Sequence, residues 1–176
     1  TGLAPVKLID SGLAREYQNP TWKYRVYYPM SWIAASVDSQ NDSVLLSSAT
    51  GDFIEVRIIK NESSEPFATW FANNISGQRY ADILQFNNRF NVQGFKRKDD
   101  LVAYFVGNKV IFVMIYQPAG DAEDIPFRHT MQMMSNSFRP NEVFEDIPAQ
   151  VILPTESFDV LTETVDTSFI DSILNQ

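Results

Sequence analysis

The chain has no cysteine and a single histidine, His129, in 176 residues. Without thiols there are no disulfides, thiolate zinc sites or cysteine nucleophiles, and the redox compartment is left open. One histidine excludes two-histidine metal sites and histidine-rich clusters. No run of about 18 apolar residues is present, so no segment reads as a membrane-spanning helix. The glycine patterns G-x-G-x-x-G, G-x-x-x-x-G-K and G-x-S-x-G are also missing, and with them the usual dinucleotide, phosphate-loop and nucleophile-elbow signatures. Lys and Arg are missing from one region altogether. All 14 lie before Asn141, balanced there by 14 acidic residues, whereas Glu142, Glu145, Asp146, Glu156, Asp159, Glu163, Asp166 and Asp171 follow with no cation. The net charge of −8 therefore resides in the last 36 residues. A neutral body with an acidic end lacks the clustered cations that neutralise phosphates, and the one basic run, Lys96-Arg97-Lys98, is followed at once by Asp99-Asp100. Nucleic acid is not an expected partner.

What is present is ordinary for a globular domain: 44% apolar, 13% aromatic and 20% charged residues. At this length one core can be buried without covalent staples. The chain opens at Thr1 rather than Met, which reads as a processed or trimmed product. The central feature is Leu101 to Gln117, two apolar arms joined by Gly107-Asn108. That dipeptide predicts a two-residue hairpin turn, and arms apolar on both faces predict strands in mid-sheet.

Before the hairpin, Trp22, Tyr24, Val26 and Tyr28 alternate with Lys23 and Arg25, a half-buried strand closed by Pro29. Ile33–Val37, Ser43–Ser48 and Phe53–Lys60 read as further strands. Ser64 as N-cap, then Glu65 and Pro66, predict a helix carrying Phe67, Trp70, Phe71 and Ile75 and stopped by Gly77. Tyr80, Ile83 and Leu84 suit a short second helix. Phe90–Arg97 reads as a strand. After the hairpin, Asp124 is placed to cap a helix whose stripe is Phe127, Met131, Met134 and Phe138. The order predicts an α+β fold, a central antiparallel sheet sandwiched by helices. The expected organisation is an N-terminal segment (1–20), an α+β domain (21–140) and an acidic C-terminal arm (141–176).

Three stretches carry a family resemblance: YRVYYPMSW (Tyr24 to Trp32), GFKRKDDLVAYFVGNKVIFVMIYQ (Gly94 to Gln117) and MMSNSFRP (Met133 to Pro140). Over roughly Tyr17 to Pro140 the layout resembles the PsbP-like family, which includes the extrinsic photosystem II protein and bacterial envelope relatives. The resemblance implies an α/β/α sandwich acting as a non-catalytic accessory or assembly factor on a larger complex outside the cytoplasm. The extension from Asn141 departs from that pattern.

Candidate site residues are few. His129, two positions after Phe127, falls about 200° round the helix from its buried stripe and is expected to be exposed. Asp121, Glu123 and Asp124 are a possible oxygen cluster for a cation, but their spacing fits no calcium loop, and helix capping accounts for Asp124. In the arm, Val151-Ile152-Leu153 could add an edge strand, and Phe158, Leu161, Val165, Phe169, Ile173 and Leu174 recur at three- to five-residue intervals. They are the expected partner-binding residues, docking on a protein partner or a second copy unless the arm folds onto its own domain. No cofactor, metal or catalytic residue is expected. The function expected is a non-catalytic protein-binding module. The alternative is a cell-surface or filament subunit assembling through its terminal segments. A hydrolase working through paired carboxylates comes third.

Overall fold

The computed structural model describes residues 13–121 and 123–140. All of them belong to Thr1–Asn141, the first of the two units into which the chain divides. Residues 1–12 of the expected N-terminal segment, and the whole of the expected arm, lie outside the described residues.

Among the described residues, nine strands and two helices succeed one another: β1 (Leu13–Gln18), β2 (Arg25–Pro29), β3 (Ile33–Ser36), β4 (Ser43–Ser47), β5 (Phe53–Lys60), α1 (Phe67–Asn74), β6 (Ile83–Asn87), β7 (Gln93–Arg97), β8 (Val102–Val106), β9 (Val110–Gln117) and α2 (Arg128–Ser137). β1 and β2 form an antiparallel ribbon, and the other seven strands form one antiparallel sheet in the order β3-β4-β5-β9-β8-β7-β6. β9 is its middle strand, and Val110–Met114 is buried without a break, as expected of a strand covered on both faces. The fold is α+β.

Alternation along the strands makes two cores. On one face Leu46, Ile54, Val56, Phe105, Phe112 and Met114 meet Tyr24, Val26 and Tyr28 of the ribbon and Met131, Met134 and Phe138 of the α2 region. On the other, Phe95, Val102, Tyr104, Ile111 and Val113 receive Phe67, Trp70 and Phe71 of α1. Phe67 stacks on Phe95 with centroids 4.1 Å apart. Each of these α1 side chains contributes about 1.5–3 kcal/mol of burial. The α1 core centres on β7, β8 and β9, with Ile59 of β5 and Ile83 of β6 packed at its margins.

Several expectations are corrected. The hairpin turn spans Gly107–Lys109, closed by Gly107 N–H on the Val110 carbonyl, and the positive φ falls on Lys109 (59°). Gly107 is needed for space instead, since a Cβ there would lie 2.5 Å from the Phe112 ring. Ser64 does not cap α1. It takes a left-handed φ of 54° in a tight turn, and Asn61 holds the approach by accepting from Glu65 N–H and donating to the Glu65 carbonyl. The expected second helix is a single 3₁₀ turn, Tyr80–Asp82, before Ile83 and Leu84 enter β6. Pairing with β7 outweighs the helical spacing there. Asp124 does not cap α2, which begins four residues later at Arg128 with Phe127 in the cap position. β7 starts at Gln93 rather than Phe90, because Asn88–Val92 is a turn with Asn91 at φ 60°. Arg25, read as outward-facing, is buried.

Candidate functional site

A recess of about 390 Å³ opens where the β6–β7 turn meets α2, lined by Asn87, Asn88, Arg89, Met133 and Asn136. Its floor is held by one side chain. Asn88 is buried; its Oδ1 accepts from Phe90 N–H (2.9 Å) and Val92 N–H (3.0 Å), and its Nδ2 donates to the carbonyls of Ser135 (3.2 Å) and Phe138 (2.6 Å). The turn and the end of α2 are thereby fixed to each other, and a buried amide with four bonds is costly to disturb.

Beside the recess lies an arginine–aromatic corner. Arg25 and Arg139 pair through their backbones at 2.9 and 3.0 Å. The Arg139 guanidinium sits 4.3 Å from the Phe90 ring centroid and 5.1 Å from that of Tyr27, and it donates to Glu16. Arg25 Nη1 lies 3.8 Å from the same Glu16 oxygen, with both side chains almost fully covered. Stacking over rings keeps a guanidinium in place once its charge is compensated. Burial, first of all, pushes the Tyr27 phenol above its ordinary value, against the opposing pull of Arg139.

Arg89 contrasts with this pair. It is exposed on the rim, its guanidinium 5.8 Å from the Phe90 ring, and no carboxylate among the described residues is paired with it. Phe90 is itself 39% exposed. Among the described residues the rim thus offers the Arg89 guanidinium, the Asn87 and Asn136 amides and an apolar ring. Among the described residues the lining is one guanidinium, three side-chain amides and a thioether, groups that can donate and accept hydrogen bonds and pair with an anion. Enclosed, mostly apolar cavities suit small ligands. An open polar recess with one aromatic anchor suits an extended peptide segment.

A second buried polar contact lies across the sheet's core. Tyr116 donates to buried Asp52 and accepts from Phe127 N–H at 3.2 Å. Burial, and then the Asp52 carboxylate, raise the Tyr116 phenol well above its ordinary range.

His129 is exposed on α2, its Nδ1 3.4 Å from Gln132 Oε1. Asp121, Glu123 and Asp124 are exposed, and Asp121 accepts from Glu123 N–H as an ordinary turn does. Among the described residues, no group of three or more His, Asp or Glu could hold a metal ion, and no helix is long and apolar enough to cross a membrane. Phe158, Leu161, Val165, Phe169, Ile173 and Leu174 lie outside the described residues. The Arg89 rim and the Asn88 lock were missed by sequence reasoning. Asn88-Arg89-Phe90-Asn91, with two asparagines in four residues, carries the turn signal that could have located them.

Neither a protein-family model nor a curated protein matches the sequence. Solved structures do match. One is a crystal structure from Bacteroides thetaiotaomicron VPI-5482, at 12% identity and a TM-score of 0.44, covering 74% of this chain and 49% of that one. The chain spans about half the length of that protein. Another is the solution structure of cyanobacterial PsbP (CyanoP) from Synechocystis sp. PCC 6803, at 12% identity and a TM-score of 0.46, covering 79% of this chain and 99% of that one. A PsbP protein, the kind the sequence resembles, is thus among the structures to which this chain is similar.

Proposed function

We propose that the chain is a non-catalytic accessory or assembly module, working outside the cytoplasm, that binds an acidic, extended segment of a protein partner at the Arg89 recess. The observation that carries this reading is Arg89 itself, an exposed guanidinium with no carboxylate partner among the described residues, beside Phe90 on a rim whose floor is locked by Asn88. A carboxylate of the partner would pair with Arg89, an apolar side chain would rest on Phe90, and the Asn87 and Asn136 amides would meet its backbone.

Selection from a displayed peptide library, using the full chain as bait, tests this directly. Enriched peptides should carry Asp or Glu close to an aliphatic or aromatic residue. Affinity for a selected peptide should fall about tenfold or more in Arg89→Glu, a loss of roughly 1.4 kcal/mol, and should hold in Lys60→Glu. Equal binding by Arg89→Glu and the native chain would remove the proposal. The acidic arm, with Phe158, Leu161, Val165, Phe169, Ile173 and Leu174, serves in this reading as a second partner-binding element. Truncation after Pro140 should then leave the melting temperature unchanged while affinity for the whole partner falls. A lower melting temperature at every concentration would make the arm part of the fold.

A further inference from the structure

β3 is an edge strand, and its pattern is self-complementary. Val37 N–H donates to the Ser43 carbonyl at 2.9 Å, and the β3–β4 register pairs Ala35 with Leu45 and Ile33 with Ser47. Antiparallel ladders alternate, so the odd-numbered residues spend their backbone groups on β4, and the N–H and C=O of Ala34 and Ser36 point to the open side. On the sheet face away from the ribbon, the side chains run Ile33, Ala35, Val37, with Ile33 68% and Val37 58% exposed. Large, small, large is symmetric about Ala35. Ser31 through Val37 carries no charge, so a second copy meets no like charge there. The opposite edge, β6, is bracketed by the Arg79–Asp82 ion pair and by Arg89, the charged flanks that discourage strand pairing. β3 has no proline and no charge within its span, and its one near flanking charge is the exposed Asp38.

We infer that β3 is a homodimer edge, pairing antiparallel with β3 of a second copy about a twofold axis at Ala35. In that register Ala34 faces Ser36 of the second copy as a hydrogen-bonded pair, and the twofold repeats it, giving four backbone bonds. Ile33 then faces Val37 of the second copy at a non-hydrogen-bonded position, where cross-strand side chains come closest. Such an interface is isologous and closed, and it joins the two seven-stranded sheets into one. It uses a different surface from the Arg89 recess and stands without that reading.

Sedimentation of the full chain over a wide concentration range, at low and high salt, is the test. The native chain should pass from monomer to dimer, more readily at high salt, because the charge of −8 on each copy is then screened. Both substituted positions are exposed, so the variants should fold as the native chain does. Ile33→Lys with Val37→Lys sets like charges across both pairs and should abolish the dimer. Ile33→Lys with Val37→Glu sets opposite charges across the same pairs and should retain it. Hydrogen exchange at Ala34 and Ser36 should slow as concentration rises. A native chain that stays monomeric, a dimer that survives the double Lys variant, or equal behaviour of the two variants would overturn the pairing. So would protection of Ala34 and Ser36 in the monomer, which would assign the edge to another segment of the chain.

Discussion

The two ends of the seven-stranded sheet are finished in opposite ways. At the β6 end the chain closes on itself: Asn88 ties the turn to α2, and Glu16 lies against the Arg25 and Arg139 guanidiniums under the Phe90 and Tyr27 rings. At the β3 end, among the described residues, no further strand is paired, and Ile33 and Val37 are exposed beside outward backbone groups. Buried polar groups specify a fixed geometry because each must be satisfied. An apolar, uncharged edge specifies nothing until another strand arrives. A rigid corner is suited to reading a particular sequence, and an open edge to joining copies.

Substitutions at the two ends should therefore differ in size. Glu16→Ala removes the carboxylate that lies against two covered guanidiniums and should cost about 3–5 kcal/mol in chemical denaturation. Asn88→Ala leaves the Phe90 and Val92 amides and two carbonyls to find other partners, a loss of about 2–3 kcal/mol, and the recess should lose its fixed shape with it. On β5, the buried Glu55 gives a smaller, pH-dependent effect. Burial opposes its ionisation, but Arg57 and Ser43, bonded at 2.6–3.0 Å, outweigh it and hold its carboxyl below the usual range. A depressed folded value means stability present above about pH 4.3 and lost as the pH falls through the folded value. Because Arg57 is half exposed, Glu55→Gln should remove at most about 1 kcal/mol of that acid-side slope, read by denaturation at pH 7 and pH 3. Smallest of all, Ile33→Thr at the bare edge should change monomer stability by less than about 0.5 kcal/mol. A large cost at Ile33, or a small one at Glu16, would erase the contrast.

Much of the fold was legible because burial follows period. The strand at Phe53–Lys60 is written in alternation, the stripe Met131, Met134 and Phe138 in helical spacing, and the central hairpin arms in unbroken apolar runs. Local turns were less so. The positive φ of Lys109 and the cap position of Phe127 depend on how neighbouring rings pack, which no dipeptide reveals. The recess was invisible because its parts, Asn87 to Arg89 and Met133 to Asn136, lie far apart in the chain and are brought together by tertiary packing and the Asn88 bonds. Buried Arg25 looked like an outward strand residue because its carboxylate neighbour, Glu16, comes from β1, a strand that the sequence left without periodicity.

The most direct test of a binding role for the locked corner is an NMR titration of the full chain with a short acidic peptide carrying one aromatic residue. The account predicts that the side-chain amides of Asn87 and Asn136 and the Arg89 guanidinium resonance shift together and saturate, while Asn88 stays fixed and Arg89→Glu abolishes the response. Shifts that cluster elsewhere, or that persist unchanged in Arg89→Glu, would contradict it.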